Sequence, residues 1–411
     1  MKILNIGSCN IDFVYALDHI VTPGETQMST SLQVFPGGKG LNQSIATARA
    51  GGDVYHAGCV GNDGGLLVDT LTEAGVDITY LQTVDAKNGH AIIQVNRAGE
   101  NCIFLHKGSN GMVDTALIDR VLNAFSAGDL LLLQNEISNV PYIVDKAHEH
   151  GLNILFNPSP FNETVTQIPL HKLSYIIVNE GEAMVLAGAS SPDAAMSFLR
   201  AQYPTLGIVL TLGARGCMFA QGDFTCFQPA FATTVVDTTG AGDTFTGYLA
   251  AGLARGEDMA TILKTACAAS AIAVSRHGAA PSIPLREEVL RLQKEMKPRT
   301  AGSRADRQRQ QLENYLDADL RTASLVGLAE QLGYSPVYTG TLVKKLTGHS
   351  FTALLQKRRC AAAAQMLSDS DLSVSAIIAA VGYENETFFR KTFKALYGQN
   401  PLAYRKAHTE R

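Results

Sequence analysis

Along the first 296 residues, short apolar runs alternate with longer stretches whose apolar positions recur at helical spacing. Residues 3–7, 129–134, 153–157, 175–179 and 208–212 read as buried strands, and a glycine cluster precedes a helix over about 41–50. Strand–helix alternation of this kind predicts an α/β fold, a mostly parallel central sheet covered by helices on both faces. Ligands of such sheets sit beyond the carboxyl ends of the strands. The polar stretches NPS (157–159), NEGE (179–182) and TLGARG (211–216) therefore face one crevice. Residues 12–35 and 90–106 instead alternate apolar and polar positions, which predicts a small separate β-layer, a lid over that crevice. An amphipathic stretch over 289–296 closes this part of the chain. Residues 297–311 (KPRTAGSRADRQRQQ) hold no apolar residue larger than Ala, so they are expected to form a linker, flexible or partly helical. From 320 to 405 the pattern is helical, with no strand signal.

The composition narrows the class. In 411 residues, 46% are hydrophobic and 18% charged, enough apolar content for a sizeable core and against wholesale disorder. No apolar run reaches the ~18–20 residues a bilayer requires. The opening MKILNIGSCNID lacks the regions of a signal peptide, so a soluble cytoplasmic protein without membrane contact is expected. Seven scattered cysteines without a CxxC pair are neither a disulfide framework nor a zinc site. Charge is uneven. Residues 1–296 carry 17 Lys and Arg against 28 Asp and Glu, a net of −11, whereas 297–411 carry 17 against 10, a net of +7. A basic tail behind an acidic body suggests a negatively charged partner for the tail, nucleic acid being the usual one.

The stretch DTTGAGDTFTG (237–247) follows a strand signal and opens a helix at about Asp243. Small residues let backbone amides approach a phosphate, and the helix N-terminus adds positive potential. A carboxylate at that point would repel an anion, but it makes sense as a base that takes a proton from a hydroxyl attacking the phosphate. The bland alternative is a glycine-rich turn with Asp as an ordinary helix-start residue. Neither GxxxxGK[ST] nor a strand-linked GxGxxG is present, so the P-loop and dinucleotide readings lack their fingerprints. A second glycine loop, PGGKGLN (36–42), also precedes a helix. Gly37 and Gly38 allow close approach of a small polyol, and Lys39 and Asn42 offer donors.

PGGKGLNQSIATARAGG (36–52) and DTTGAGDTFTGYLA (237–250) together resemble both signatures of the PfkB carbohydrate kinases, the ribokinase branch in particular. GSCNID, PGET, NPSP, NEGEA, TLGARG and GAAPSIP extend the resemblance over nearly all of 1–296. It implies a ribokinase-like domain over 1–296 in which ATP phosphorylates D-ribose to D-ribose 5-phosphate. Asn10, Asp12, Gly38, Lys39, Gly40, Asn42 and Glu136 would hold the sugar. Asp243 would be the base, with the Gly240, Ala241, Gly242 and Asp243 amides as anion hole. Asn179 and Glu182 would organise Mg2+ and the nucleotide phosphates, and Thr211, Gly213, Gly216, Gly242 and Cys267 would line the nucleotide. Asp237, Thr239, Ala273, Arg276, Gly278 and Ser282 match a monovalent-cation loop for K+, mostly through carbonyls. A homodimer is expected. One departure is GNDGG at 61–65 in place of GxDxxG, which leaves lid-side sugar contacts there unassigned.

In the tail, residues 325–348 and 374–398 each follow the plan of helix, tight turn and second helix, with Gly-Tyr at the turn, and the helix around 353–367 joins them. With GYENETFFRKTFKALYGQNPLAYR they resemble the two-motif DNA-binding domain of the arabinose-regulator (AraC/XylS) family, expected over about 312–411. The second helix of each motif would enter the major groove of duplex DNA. The candidates are residues 337–341 in the first motif and Glu386, Thr387, Arg390 and Lys391 in the second. The first motif departs from the pattern, with Gly340 and Thr341 where longer side chains commonly reach bases, and a Gly inside a helix costs about 0.5–1 kcal/mol. The leading expectation is a working ribokinase-like kinase fused to a transcriptional regulator. Its rivals are a sugar sensor with a catalytically weak kinase domain, and a kinase for another pentose, a ketohexose or a nucleoside.

Overall fold

The computed structural model describes residues 1–97, 101–297, 304–370, 372–383 and 385–409. Two compact units divide between residues 300 and 301.

Among the described residues the first unit carries thirteen strands: β1 (Ile3–Ile6), β2 (Asn10–Ala16), β3 (Ser31–Gly37), β4 (Val54–Val60), β5 (Asp77–Thr83), β6 (Gly89–Val95), β7 (Asn101–His106), β8 (Leu130–Gln134), β9 (Asn153–Asn157), β10 (Tyr175–Asn179), β11 (Gly207–Thr211), β12 (Gly216–Gln221) and β13 (Phe224–Pro229). Its helices are α1 (Lys39–Arg49), α2 (Gly65–Glu73), α3 (Thr115–Leu122), α4 (Val140–Glu149), α5 (Glu180–Ala187), α6 (Pro192–Gln202), α7 (Ala241–Ala254), α8 (Met259–Ala273) and α9 (Arg286–Leu292). Nine strands form one sheet in the order β13-β12-β11-β10-β9-β8-β1-β4-β5, parallel except where β12 pairs antiparallel with β11 and β13.

Period-2 alternation explains the layers. On β8, Leu130 and Leu132 enter one core with α1, α7 and α8, while Leu131 and Leu133 enter the other with α3, α4 and α6. A strand buried on both faces reads as a near-continuous apolar run, as LLLL at 130–133 does in the interior of the sheet. The expected lid is a four-stranded sheet in the order β3-β2-β6-β7. The parallel β2–β6 pair sits between two antiparallel edge pairs.

The second unit is helical: α10 (Arg304–Ala318), α11 (Leu325–Leu332), α12 (Pro336–Thr347), α13 (Phe351–Asp369), α14 (Val374–Ala380), α15 (Glu386–Tyr397) and α16 (Pro401–Thr409). Of the expected linker, 298–303 lie outside the described residues and 304–311 form the first half of α10. Leu312 and Leu316, one turn apart on that helix, are buried with Leu328, Val343, Phe351 and Leu355 in the core of the first motif. Cys360, Ala363 and Leu367 of α13 enter the core of the second motif with Ile377, Phe389 and Phe393. One 19-residue helix thus contributes to both cores.

The two motifs correspond in their caps and in their pattern of burial. Ser335 and Asn385 cap α12 and α15, each accepting from the amide three residues on. Both helices end at a glycine, Gly348 and Gly398. In this register Thr339 and Val343 correspond to Phe389 and Phe393, all fully buried, and Gly340 and Thr341 correspond to Arg390 and Lys391. Among the described residues no helix is long and apolar enough to cross a membrane.

Candidate active site

Three segments far apart in sequence meet beyond the strand ends. Strand β2 carries Asn10 and Asp12 beside β3, with Asn10 opposite Gly37 and Asp12 opposite Phe35. A Cβ at Gly37 would lie 2.0 Å from Asp12 Oδ2, so any side chain there would displace that carboxylate. Helix α1 begins two residues later and presents Asn42. Glu136 follows β8, and its carboxylate accepts from the Ser8 hydroxyl and from the Lys39 amide at 3.0 Å. Asn10 Oδ1 accepts from Asn110 Nδ2 at 2.7 Å. Gly40 is held in place, its amide donating to Ser8 Oγ at 3.2 Å and its carbonyl accepting from Asn5 Nδ2 at 2.8 Å.

The carboxylates of this pocket oppose one another. Burial, reinforced by the neighbouring Glu136 and Asp243 carboxylates, pushes the Asp12 carboxyl up to about 7. Burial also raises Glu136, against the pull of the Lys39 ammonium and the Ser8 hydroxyl. Asp243 holds the Lys39 ammonium above its ordinary value, Glu136 and Glu182 adding to it, despite burial. Three carboxylates around one ammonium form a site suited to a neutral, hydroxyl-rich ligand, because carboxylates accept the hydrogen bonds that hydroxyls donate.

Asp243, 7% exposed, sits in the first turn of α7. The turn into that helix depends on Gly240, which has φ 72° and would place a Cβ 2.9 Å from the Ala279 backbone. The Ala241 amide donates to Thr238 O at 3.3 Å, so it is turned away from a ligand in part. The Gly242 and Asp243 amides are among the unpaired donors of the helix start, and Gly242 faces open space. The Asp243 carboxylate accepts from Asn42 Nδ2 (3.1 Å, to Oδ2) and from Gln43 Nε2 (2.9 Å, to Oδ1). Asn42 Oδ1 is buried with no partner among the described residues, an acceptor free for a ligand hydroxyl.

On the far side of Gly242 opens a cavity of about 330 Å³. Thr211, Gly213, Gly216, Gly242 and Cys267, all expected along the nucleotide, line it. Cys267 Sγ lies 3.5 Å from Cys217 Sγ. Asn179 and Glu182 hold each other: the Asn179 side chain accepts from the Glu182 amide and the Glu182 carboxylate from the Asn179 amide, both at 2.9 Å. Ser159 also donates to Glu182. This is a capping box of α5, so both side chains already have a local partner.

Asp237 joins two loops, accepting from the Thr239 amide and hydroxyl (2.9 and 2.7 Å) and from the Gly278 amide (2.9 Å). Burial pushes its carboxyl up, but these bonds prevail and hold it below its ordinary value. Ala273 O accepts from the Arg276 amide, the Arg276 side chain pairs with Glu288, and Ser282 donates to Ala279 O. In the departing GNDGG segment, Asp63 is tied to Asn88, with Lys87 3.5 Å away.

In the second unit, Glu386, Thr387 and Lys391 are exposed on α15, and Arg390 is partly so, lying 3.3 Å from Glu386 one turn earlier. Of residues 337–341, Val337, Tyr338 and Thr341 are exposed. Thr339 is not a contact candidate. It is fully buried and its hydroxyl has no partner among the described residues.

Residues 1–286 match the family described as pfkB family carbohydrate kinase, and residues 328–407 match a helix-turn-helix domain. The chain belongs to the pfkB family. It is 34% identical over 288 residues to the ribokinase of Bacillus subtilis (strain 168), covering 69% of this chain and 96% of the relative. The structure of ribokinase from Cryptococcus neoformans var. grubii serotype A in complex with ADP superposes with a TM-score of 0.63 at 37% identity, covering 71% of this chain and 99% of that one. That of Arabidopsis thaliana ribokinase complexed with ribose and ATP superposes at 0.65 and 27% identity, covering 71% and 98%.

The first unit is therefore a ribokinase-like carbohydrate kinase, transferring phosphate to a sugar alcohol, and the second is a helix-turn-helix domain. The sequence had not singled out Ser8, Asn110, Gln43 or Gln134 in the kinase unit. Gln43 follows Asn42 in GGKGLNQ, which was the available signal. Ser8 lies in GSCNID, but Asn110 and Gln134 had no signal, because their side-chain partners lie 91 to 129 residues away.

Proposed function

We propose that the kinase unit transfers the terminal phosphoryl group of ATP to the terminal hydroxyl of D-ribose, giving D-ribose 5-phosphate. The observation that carries this reading is the juxtaposition of a buried carboxylate, held through both oxygens, with partly unpaired helix-start amides beside a pocket of hydroxyl acceptors. Asp243 takes the proton of the sugar hydroxyl as that oxygen attacks phosphorus. The Gly242 and Asp243 amides receive the negative charge of the transferring group, Lys39 adds positive potential, and ADP leaves. Asn10, Asp12, Asn42 and Glu136 hold the remaining hydroxyls. A sensor that no longer turns over would have no need to keep the Asp243 carboxylate so placed.

Among the described residues no cluster of three or more His, Cys, Asp or Glu could hold a metal. Mg2+ would arrive with the nucleotide, keeping several waters and bound largely by the substrate phosphates. Glu182 and Asn179, already paired, would reach it through water, and the ion would neutralise phosphate charge. K+ would sit between the two loops that Asp237 ties together, held mostly by their carbonyls. For the second unit we propose duplex DNA, with the α15 face of Thr387, Arg390 and Lys391 in the major groove, and thus a regulator of transcription. A second copy of the chain would cover the face of the lid sheet that carries Leu32, Val34 and Phe104, each about half exposed.

The catalytic reading is tested by Asp243→Asn, which keeps the shape and removes the proton acceptor. Turnover should fall by roughly 10²–10⁴-fold while sugar and nucleotide still bind by calorimetry. A kcat close to wild type would return Asp243 to an ordinary helix-start residue.

A further inference from the structure

The base is held from behind by side chains to which the family signatures assign no role. Gln43 is fully buried and gives Nε2 hydrogens to Asp243 Oδ1 at 2.9 Å and to Asn157 Oδ1 at 3.2 Å. Its Oε1 accepts from Gln134 Nε2 at 2.8 Å. The other hydrogen of that Nε2 goes to Asn5 Oδ1 at 3.0 Å, and Asn5 Nδ2 donates to Gly40 O and to Ser44 Oγ, at 2.8 and 2.7 Å. Ser44 Oγ lies 2.8 Å from His56 Nδ1, and His56 Nε2 lies 3.3 Å from Cys9 Sγ. Burial lowers His56 to about 4, so the chain of polar groups ends on a neutral ring.

Each amide in this chain can point only one way. Turning Gln43 over would set its oxygen against the Asp243 carboxylate and its NH2 against the NH2 of Gln134. Turning Gln134 over would set its oxygen against Gln43 Oε1 and Asn5 Oδ1. The chain instead leaves Gln134 Oε1 buried and unpartnered. The end facing the active site is therefore always a donor, aimed at Oδ1, while Asn42 holds Oδ2. Two donors on two oxygens stop the carboxylate from rotating. The same chain grips the Gly40 carbonyl, so the glycine loop on the sugar side and the base share one support.

We propose that Gln43 is a positioning residue for phosphoryl transfer, fixing the orientation of the Asp243 carboxylate toward the sugar hydroxyl through the Gln134–Asn5 amide relay. This rests on Asp243 acting as the base. A proton acceptor misplaced by a fraction of an ångström loses rate, not substrate affinity, so the signature is a fall in kcat with the sugar KM nearly unchanged.

The test uses the full-length protein with Gln43→Met, which keeps the volume and removes the donor, together with Asp243→Asn and the double variant. Initial rates are measured at saturating ATP over a range of sugar concentrations, and sugar binding is measured directly. Gln43→Met should lower kcat by roughly 10- to 100-fold and leave sugar affinity within about twofold. In the Asp243→Asn background it should cost almost nothing more, because a residue that acts through the base has no effect once the base is gone. Three results would overturn the assignment: an unchanged kcat in Gln43→Met, a rise in sugar KM equal to the loss in kcat, or an undiminished loss in the double variant. A single Asp243→Asn variant with near-normal turnover would instead remove the base reading itself, so the two failures are distinguishable.

Discussion

Replacing Asp12 by Asn should make the kinase unit more stable, by an amount that grows with pH. In the folded pocket the Asp12 carboxyl is pushed up from 3.8 to about 7, by burial first and then by Glu136 and Asp243. The unfolded chain releases this proton near 3.8 and the folded chain near 7. Between those values the folded state binds the extra proton, and stability falls as pH rises. The loss is complete above about 7. Three pH units at 1.36 kcal/mol each give a ceiling of about 4 kcal/mol, and the accessible part of the side chain lowers it toward about 2–3 kcal/mol. Asn has the same shape and does not titrate, so its advantage should be small at pH 4.5 and near its maximum at pH 7.5. The chain has no Trp, so urea unfolding is best followed by circular dichroism, without sugar or nucleotide, at several pH values. Parallel stability curves for the two proteins, separated by a constant amount from pH 4.5 to 7.5, would refute the reasoning.

In the second unit, a selection from random duplexes at one fixed salt concentration should recover a motif that Arg390→Ala flattens in part and Thr341→Ala leaves almost unchanged. Arg390 and Lys391 are adjacent on α15, so one can face a base edge while the other faces phosphate, whereas Gly340 and Thr341 at the matching positions are too short. No selected motif, or equal loss in both variants, would count against this division. Thr339→Val removes a buried hydroxyl without a partner and should stabilise the second unit by about 1 kcal/mol in thermal unfolding, where a destabilised variant would mean that the hydroxyl is paired after all.

The parallel sheet was legible at β1, β8, β9, β10 and β11, whose mostly apolar runs match their burial, whereas β4 and β5, broken by His56, Asp77 and Gln82, were not read as strands. The lid was legible for the opposite reason: alternation on β6 and β7 marks strands that are not buried on both faces. Helix α10 was harder to see, since RADRQRQQ offers no apolar position and only Leu312, Tyr315 and Leu316 give it a face. Asp243, Asn42 and the two glycine loops stood out because their chemistry depends on local geometry at a helix start. Gln43, Gln134 and Asn5 did not, because an amide relay has no spacing rule. Its members come from α1, β8 and β1 and meet only when the sheet order places β8 beside β1. Thr339 was misplaced for a related reason: a short polar residue on an amphipathic helix gives no sign of which side it faces.

The central claim is that this pocket phosphorylates D-ribose. Its most direct test is a panel of D-ribose, 2-deoxy-D-ribose, D-arabinose, D-fructose and a nucleoside, each with ATP and Mg2+, read as ADP release with kcat/KM for every sugar. D-Ribose should lead, with ribose 5-phosphate as the product and stimulation by K+. Another acceptor ahead by more than roughly tenfold in kcat/KM, about 1.4 kcal/mol of transition-state binding, would contradict the substrate assignment. ADP release with none of them would contradict the claim of catalysis itself.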